Sequence, residues 1–321
     1  EFLHTIRADR SRWAEVITAT HNGISIPDFS LSYAHVTVDR DIKEKPMSEQ
    51  EKFFVVVNPT LDEHVALDRA IITAQLMTPR PKIYVFVAID HDSVDMSPDN
   101  QNIYRNTDWF DEQVHSPLKA AGLDYQIEIS WSDHWQKAIM QSAKKVGATR
   151  IIIRAGKLKS SSRFSFTENK WKLFKRAFCP VLLVRDGAAP ARKVVLAAVN
   201  FQASRDKQRL LNSNILARGN ALAQSYGAEF HVANAYLDSM LYPDRGRLAK
   251  ETGLDSSNIH VVQGYTDEAI AKVAKAISAD VVIIGTLGQT GVIKTLRGNT
   301  AERVISAVDV DVVVINSEYE S

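Results

Sequence analysis

The chain has 321 residues, 45% hydrophobic and 24% charged, with a formal net charge of +1. That length allows two domains of ordinary size, and the near-neutral balance excludes a strong global attraction to nucleic acid or acidic membrane. A single cysteine, Cys179, excludes an internal disulfide and fits a reducing cytoplasm. No apolar run approaches the length of a membrane span. The first residues lack the basic start and long apolar core of a signal peptide.

Residues 1 to 50 read as an N-terminal extension. It has a helical pattern near Ser11 to Ala19, an extended piece from Leu31 to Val38 and a polar link starting at Lys43. Such a segment either docks on a protein partner or packs loosely.

Two units then follow one plan. Residues 51–188 open with the strand Phe53 to Asn58, then a helix with Leu67, Ala70, Ile71 and Ala74 on one face. Further strands start at Lys82, Tyr125, Arg150 and Val181. Helical patterns lie between them, near Asp108 to Ala121, around Trp135, Ile139 and Val146, and around Trp171, Phe174 and Phe178. Residues 189–321 replay that order: strand Lys193 to Asn200, a long helix from about Lys207 to Tyr226, and strands starting near Glu229 and Ile259. A helix then carries Ile270, Val273, Ala274 and Ile277 on one face, followed by strands from Val281 and Val310. The stretch from Tyr236 to Asn258 is short and rich in Gly, Pro and Asp, which predicts a truncated helix. Repetition at this period indicates a duplicated domain. Alternating strands and helices predict parallel sheets covered on both faces, joined by the link Asp186 to Pro190.

The densest signal lies between the strand Val281–Ile284 and the helical pattern at Ala301. Gly285, Gly288, Gly291 and Gly298 punctuate that stretch, with Gly298 followed by Asn299 and Thr300. Strand, glycine-rich loop and helix point backbone N–H groups at an anion. The alternative is that Asn299 caps the helix, with Glu302 as a capping-box partner, and the glycines only shape a turn. In the first unit the matching stretch begins Arg154-Ala-Gly156. It lacks the later glycines and instead carries Lys157, Lys159, Arg163, Lys170, Lys172, Lys175 and Arg176 against one acid, Glu168. A patch of that kind suits a phosphorylated ligand, an anionic lipid or RNA; the alternative is a solvated loop.

Catalytic arrangements are harder to find. The nine histidines are scattered without metal spacing, and no nucleophile elbow or Walker lysine occurs. Cys179, before Pro180 at a strand start, reads as a buried structural thiol. His64, with Asp62 and Glu63, reads as a surface helix start, and Asp133 as the cap of the next helix.

The repeats, the glycine loop, the Cys179-Pro180 entry to a strand and the Gly298-Asn-Thr-Ala-Glu-Arg-Val-Ile run together resemble the universal stress protein family in its tandem, E-type form. The resemblance covers about residues 53 to 317. It implies two Rossmann-like domains, of the type shared with adenine nucleotide α-hydrolases. Each would be a five-stranded parallel sheet in the order 3-2-1-4-5, with a ligand site at the switch between strands one and four. It further implies that Asn200 stands where the family usually has an Asp for the adenine amine. Gly285 and Gly288 would lie against ribose and phosphate, and Gly298, Asn299 and Thr300 around the terminal phosphates. ATP or AMP, with magnesium, is the implied ligand. The expected function is a stress-response module binding a small ligand through the second domain, with at most weak ATPase activity. A nucleotide-independent adaptor for a protein or nucleic acid and a carrier of a lipid-like ligand are the alternatives. The two domains would form a pseudo-dimer, leaving a homodimer optional.

Overall fold

Each apolar run becomes a strand of one sheet. The computed structural model describes residues 50–59, 61, 63–89, 107–132, 134–155, 173–287 and 300–317. The N-terminal helix and extended piece lie outside these residues. In the first half, strand β1 (Lys52–Val57) is followed by helix α1 (Val65–Gln75) and β2 (Lys82–Ile89). A helical segment, α2, comes next, in three pieces: Thr107–Phe110, a π-type turn Asp111–His115, and Ser116–Ala120. Then come β3 (Tyr125–Trp131), α3 (Trp135–Val146), β4 (Arg150–Arg154) and β5 (Val181–Val184). The second half has β6 (Val194–Val199), α4 (Asp206–Tyr226), β7 (Glu229–Tyr236) and α5 (Arg245–Thr252). It closes with β8 (Ile259–Gln263), α6 (Thr266–Ala276), β9 (Val281–Thr286), α7 (Thr300–Ala307) and β10 (Asp311–Asn316). As the Gly, Pro and Asp content predicts, the helix after β7 is only α5, eight residues long.

The strand order is β3-β2-β1-β4-β5-β10-β9-β6-β7-β8. Each half therefore carries the expected 3-2-1-4-5 order, and pairing within each half is parallel. The two sheets are not separate, however. β5 and β10 pair antiparallel, with Leu182 opposite Val313, and make one ten-stranded sheet. Such sheets need cover on both faces. One face buries Phe53, Val55, Val195 and Ala197 under α1, α2 and α4. The other buries Phe54, Leu196, Val282 and Val312 under α3, α6, α7 and the helical turn at 173–176.

The junction between the halves is charged and dry. Asp311, at the start of β10, is fully buried. It pairs with Arg192 at 2.6 Å and with Arg69 of α1 at 3.3 Å, and accepts from the Arg185 amide at 2.9 Å. Arg69 also donates to the carbonyls of Ala189 and Pro190. The connecting link is thus strapped to the first half's opening helix. Arg185 donates to the Ile305 and Val308 carbonyls, and burial pulls its pKa down. At the other end of β10, buried Asn316 donates to the carbonyls of Phe174 and Lys175. Both halves are therefore fastened at both ends of this one strand.

Two local expectations change. His64 is not a surface residue: it is 8% exposed and meets Trp109 edge-on at 5.4 Å, because α2 folds back over the start of α1. Asp133 lies outside the described residues, and the N-cap position of α3 is His134, without a side-chain cap bond.

Candidate functional site at the opening between β6 and β9

A parallel sheet whose connections leave in opposite directions opens where the winding reverses. Here the opening can be read from the ladders. β6 stays paired to β7 through Val199 opposite Asn234, and β9 stays paired to β10 through Thr286 opposite Asn316. Between β6 and β9 the ladder stops at Ala197 opposite Ile283. The carboxyl ends of the two central strands therefore part, with Asn200 after one and Gly285 on the other. The first half repeats this: the β1–β4 ladder stops at Val55 opposite Ile152, while β4 stays paired to β5 through Arg154.

What stands in the two openings differs. In the first half the residue at the level of Gly285 is Arg154. Its Nε and a terminal nitrogen bind both oxygens of Asp186 at 2.6 and 2.8 Å, and its pKa is raised by that hydrogen-bonded partner. At the end of β4 the first half therefore carries a fork-on-carboxylate pair, the most directional of side-chain ion pairs, where the second half carries glycine. The run from Gly156 to Lys172 lies outside the described residues.

In the second half the loop after β6 is held from two sides. Asn212 of α4 accepts from the Asn200 amide through Oδ1 at 3.1 Å and donates through Nδ2 to the Asn200 carbonyl at 2.8 Å. Asn234 of β7 accepts from the Phe201 amide at 2.7 Å and donates to Gln202 Oε1 at 3.1 Å. Gln202 in turn donates to the Ala235 carbonyl at 3.1 Å. Asn212 and Asn234 are buried, so a complete set of partners is required of them. Asn200 itself is exposed.

Gly285 has a packing reason to lack a side chain. A Cβ there would lie 2.6 Å from Leu211 and 2.9 Å from Ile215, both on α4. Gly219 stands in the same relation to Phe230, at 2.5 Å. The two glycines let α4 lie directly on the sheet, which brings Asn212 within reach of Asn200. Thr300 is the exposed first residue of α7. Glu302, in that first turn, has its pKa raised by burial against the opposing pull of Lys175. A raised pKa lessens the conflict between this carboxyl and an anion at the helix start. Gly288, Gly298 and Asn299 lie outside the described residues. The structure thus brings Asn200 and Gly285 to the two sides of one opening and puts Thr300 on the helix that follows β9.

Sequence reasoning missed the supporting residues. Asn212 and Asn234 are polar positions inside an apolar helix face and an apolar strand, which is their only sequence signal. It also missed an apolar ledge beside the site. Leu237, Met240, Leu241 and Tyr242, after β7, are 50% to 90% exposed, and Tyr265, after β8, is 42% exposed. The amide of Gly264 donates to the Tyr236 carbonyl at 2.9 Å, which joins the two segments. Elsewhere, Cys179 is buried, and burial pushes its thiol up to about 12. Among the described residues no helix is long and apolar enough to cross a membrane.

Comparison with known proteins agrees with the fold. Residues 188–316 match the family model described as the universal stress protein family. The chain is similar to "Universal stress protein E" of Escherichia coli, 28% identical over 85% of this chain and 96% of that protein. It is also similar to the "Universal stress protein E homolog" of Haemophilus influenzae, 27% identical over 80% and 94%. Among solved structures, a putative universal stress protein of Pseudomonas aeruginosa superposes with a TM-score of 0.69 at 23% identity, over 84% of this chain and 94% of that one. A universal stress protein of Archaeoglobus fulgidus gives 0.61 at 17% identity, over 82% and 96%.

Proposed function

This chain belongs to the universal stress protein family, and from that premise we propose that it is a cytoplasmic stress-response module whose second half binds a nucleotide at the opening between β6 and β9. The observation that carries the reading is the contrast between the two openings. At the first, the strand end carries Arg154, held by Asp186. At the second, Asn200 is presented by a loop held by Asn212 and Asn234, beside a strand end that carries glycine. The base would meet Asn200. The phosphates would meet the glycine-rich loop, including Gly288, Gly298 and Asn299, and Thr300 at the start of α7, where the helix dipole favours negative charge. Magnesium would enter with a di- or triphosphate. The role we infer for such binding is regulatory or protective.

Titration calorimetry with ATP, ADP and AMP at millimolar magnesium tests this. Saturable heat is expected, lost on Gly288→Trp with the fold intact. Absence of heat and of any thermal shift with all three nucleotides overturns it.

The exposed Leu237, Met240, Leu241, Tyr242 and Tyr265 favour a second reading, in which the ligand carries an apolar portion. A nucleotide bearing such a group would then bind more tightly than its parent.

A further inference from the structure

The carboxamide of Asn200 is a recognition group of unusual breadth, and the reason lies in what surrounds it. A loop at a switch point ordinarily offers a base both its backbone and its side chain. Here the backbone is already used. The amide and carbonyl of Asn200 are both taken by Asn212, and the amide of Phe201 is taken by Asn234. The carbonyl of Asn200 also accepts from Ala203 at 3.3 Å. The second wall of polar groups, Asn234 and Gln202, is closed on itself and on Ala235. What residue 200 has left for a ligand is one exposed, neutral carboxamide. No hydrogen bond among the described residues fixes its orientation.

A carboxamide has a donor and an acceptor side by side. The terminal torsion of Asn is broad and roughly two-fold, so the two ends exchange at little cost. In one orientation the amide pairs with an amidine edge, accepting from the exocyclic amine of adenine and donating to the adjacent ring nitrogen. In the other it pairs equally well with a lactam edge, donating to a ring carbonyl and accepting from the adjacent ring N–H. A fixed backbone donor or acceptor would break this degeneracy. The internal bonding takes the Asn200 amide and carbonyl and the Phe201 amide out of that role.

We propose that the second half accepts nucleotides of both base types, amidine (adenine) and lactam (hypoxanthine, guanine or uracil), with Asn200 as the residue that sets this breadth. The proposal rests on the nucleotide reading above and narrows it to the base subsite.

The test uses AMP and IMP, which differ only at the purine 6-position and the neighbouring ring proton. With the full chain, calorimetry should give dissociation constants within about threefold of each other. Asn200→Ala should weaken both by a similar factor, between about 5-fold and 150-fold, the range for one bidentate amide–base pair. Its side chain is exposed and its backbone bonds do not need it, so the thermal midpoint should stay unchanged. AMP binding a hundredfold more tightly than IMP overturns the proposal and leaves the nucleotide reading standing. So does an Asn200→Ala variant that binds both as well as the original chain. If neither of these, nor ADP or ATP, binds at all, the nucleotide reading fails and this proposal fails with it.

Discussion

Arg192 and Asp311 form an ion pair at 2.6 Å in which neither side chain reaches solvent, the two being 1% and 0% exposed. Asp311 also serves Arg69 and the amide of Arg185. One buried carboxylate therefore satisfies groups from α1, from the link between the halves and from the end of β5. Removing one partner of a buried pair leaves uncompensated charge, at a cost of about 3–5 kcal/mol. Asp311→Ala is expected to destabilise the chain by that amount in urea unfolding. Asp311→Asn, which keeps an acceptor for the Arg185 amide, should cost less.

Gly285 and Gly219 should both resist a methyl group. At each, a Cβ would meet α4 or Phe230 below 3 Å, and overpacking of that kind costs about 1–3 kcal/mol. Gly285→Ala should lower the urea midpoint. Adding Leu211→Ala should recover part of the loss, because the two changes share one space. If the double variant is only additive, the packing account of Gly285 is wrong.

The second half should lose stability in mild acid. His231 Nδ1 lies 3.1 Å from His260 Nε2, and His231 Nε2 lies 3.3 Å from Glu229. The pKa of His260 is lowered by burial first, then by the charges of His231 and Arg245. A histidine depressed in the folded state binds fewer protons than the unfolded chain does below about pH 6.5. Its contribution is therefore intact above that value and is lost as pH falls toward the folded pKa. Urea midpoints should drop between pH 7.5 and pH 5.5, and His260→Gln should flatten that dependence.

Cys179 should be unreactive in the folded chain. Its thiol is 2% exposed and raised to about 12 by burial, so almost no thiolate exists at pH 8. A maleimide at pH 8 should label it only at the rate at which urea exposes it. Rapid labelling of native protein would contradict the packing at the start of β5.

Much of this architecture was legible from residue pattern. Apolar runs such as Val281–Ile284 became strands covered on both faces, and the Lys207 to Tyr226 pattern became α4, starting one residue earlier. What periodicity cannot say is which distant segment covers which face. The pairing of β5 with β10 joins residues far apart in sequence, and neither strand carries a mark of it. His64 looked like a helix start on the surface because nothing local shows that Trp109 will pack against it. The site was half visible. Asn200 and Gly285 could be named from their positions at strand ends. The packing requirement at Gly285 comes instead from Leu211 and Ile215, and the fixing of Asn200 from Asn212, all on a helix whose approach distance no sequence pattern gives.

The last strand among the described residues, β10, lies inside the sheet between β5 and β9. During synthesis, β5 is made long before β10, which is its neighbour on that side. At about 10 residues per second, roughly 10 s separate the two. Throughout that interval Val181–Val184 presents an uncovered strand edge of four aliphatic residues, the kind of surface that recruits other strands. Nascent chains stalled before residue 311 should therefore depend on chaperones in a way the finished protein does not.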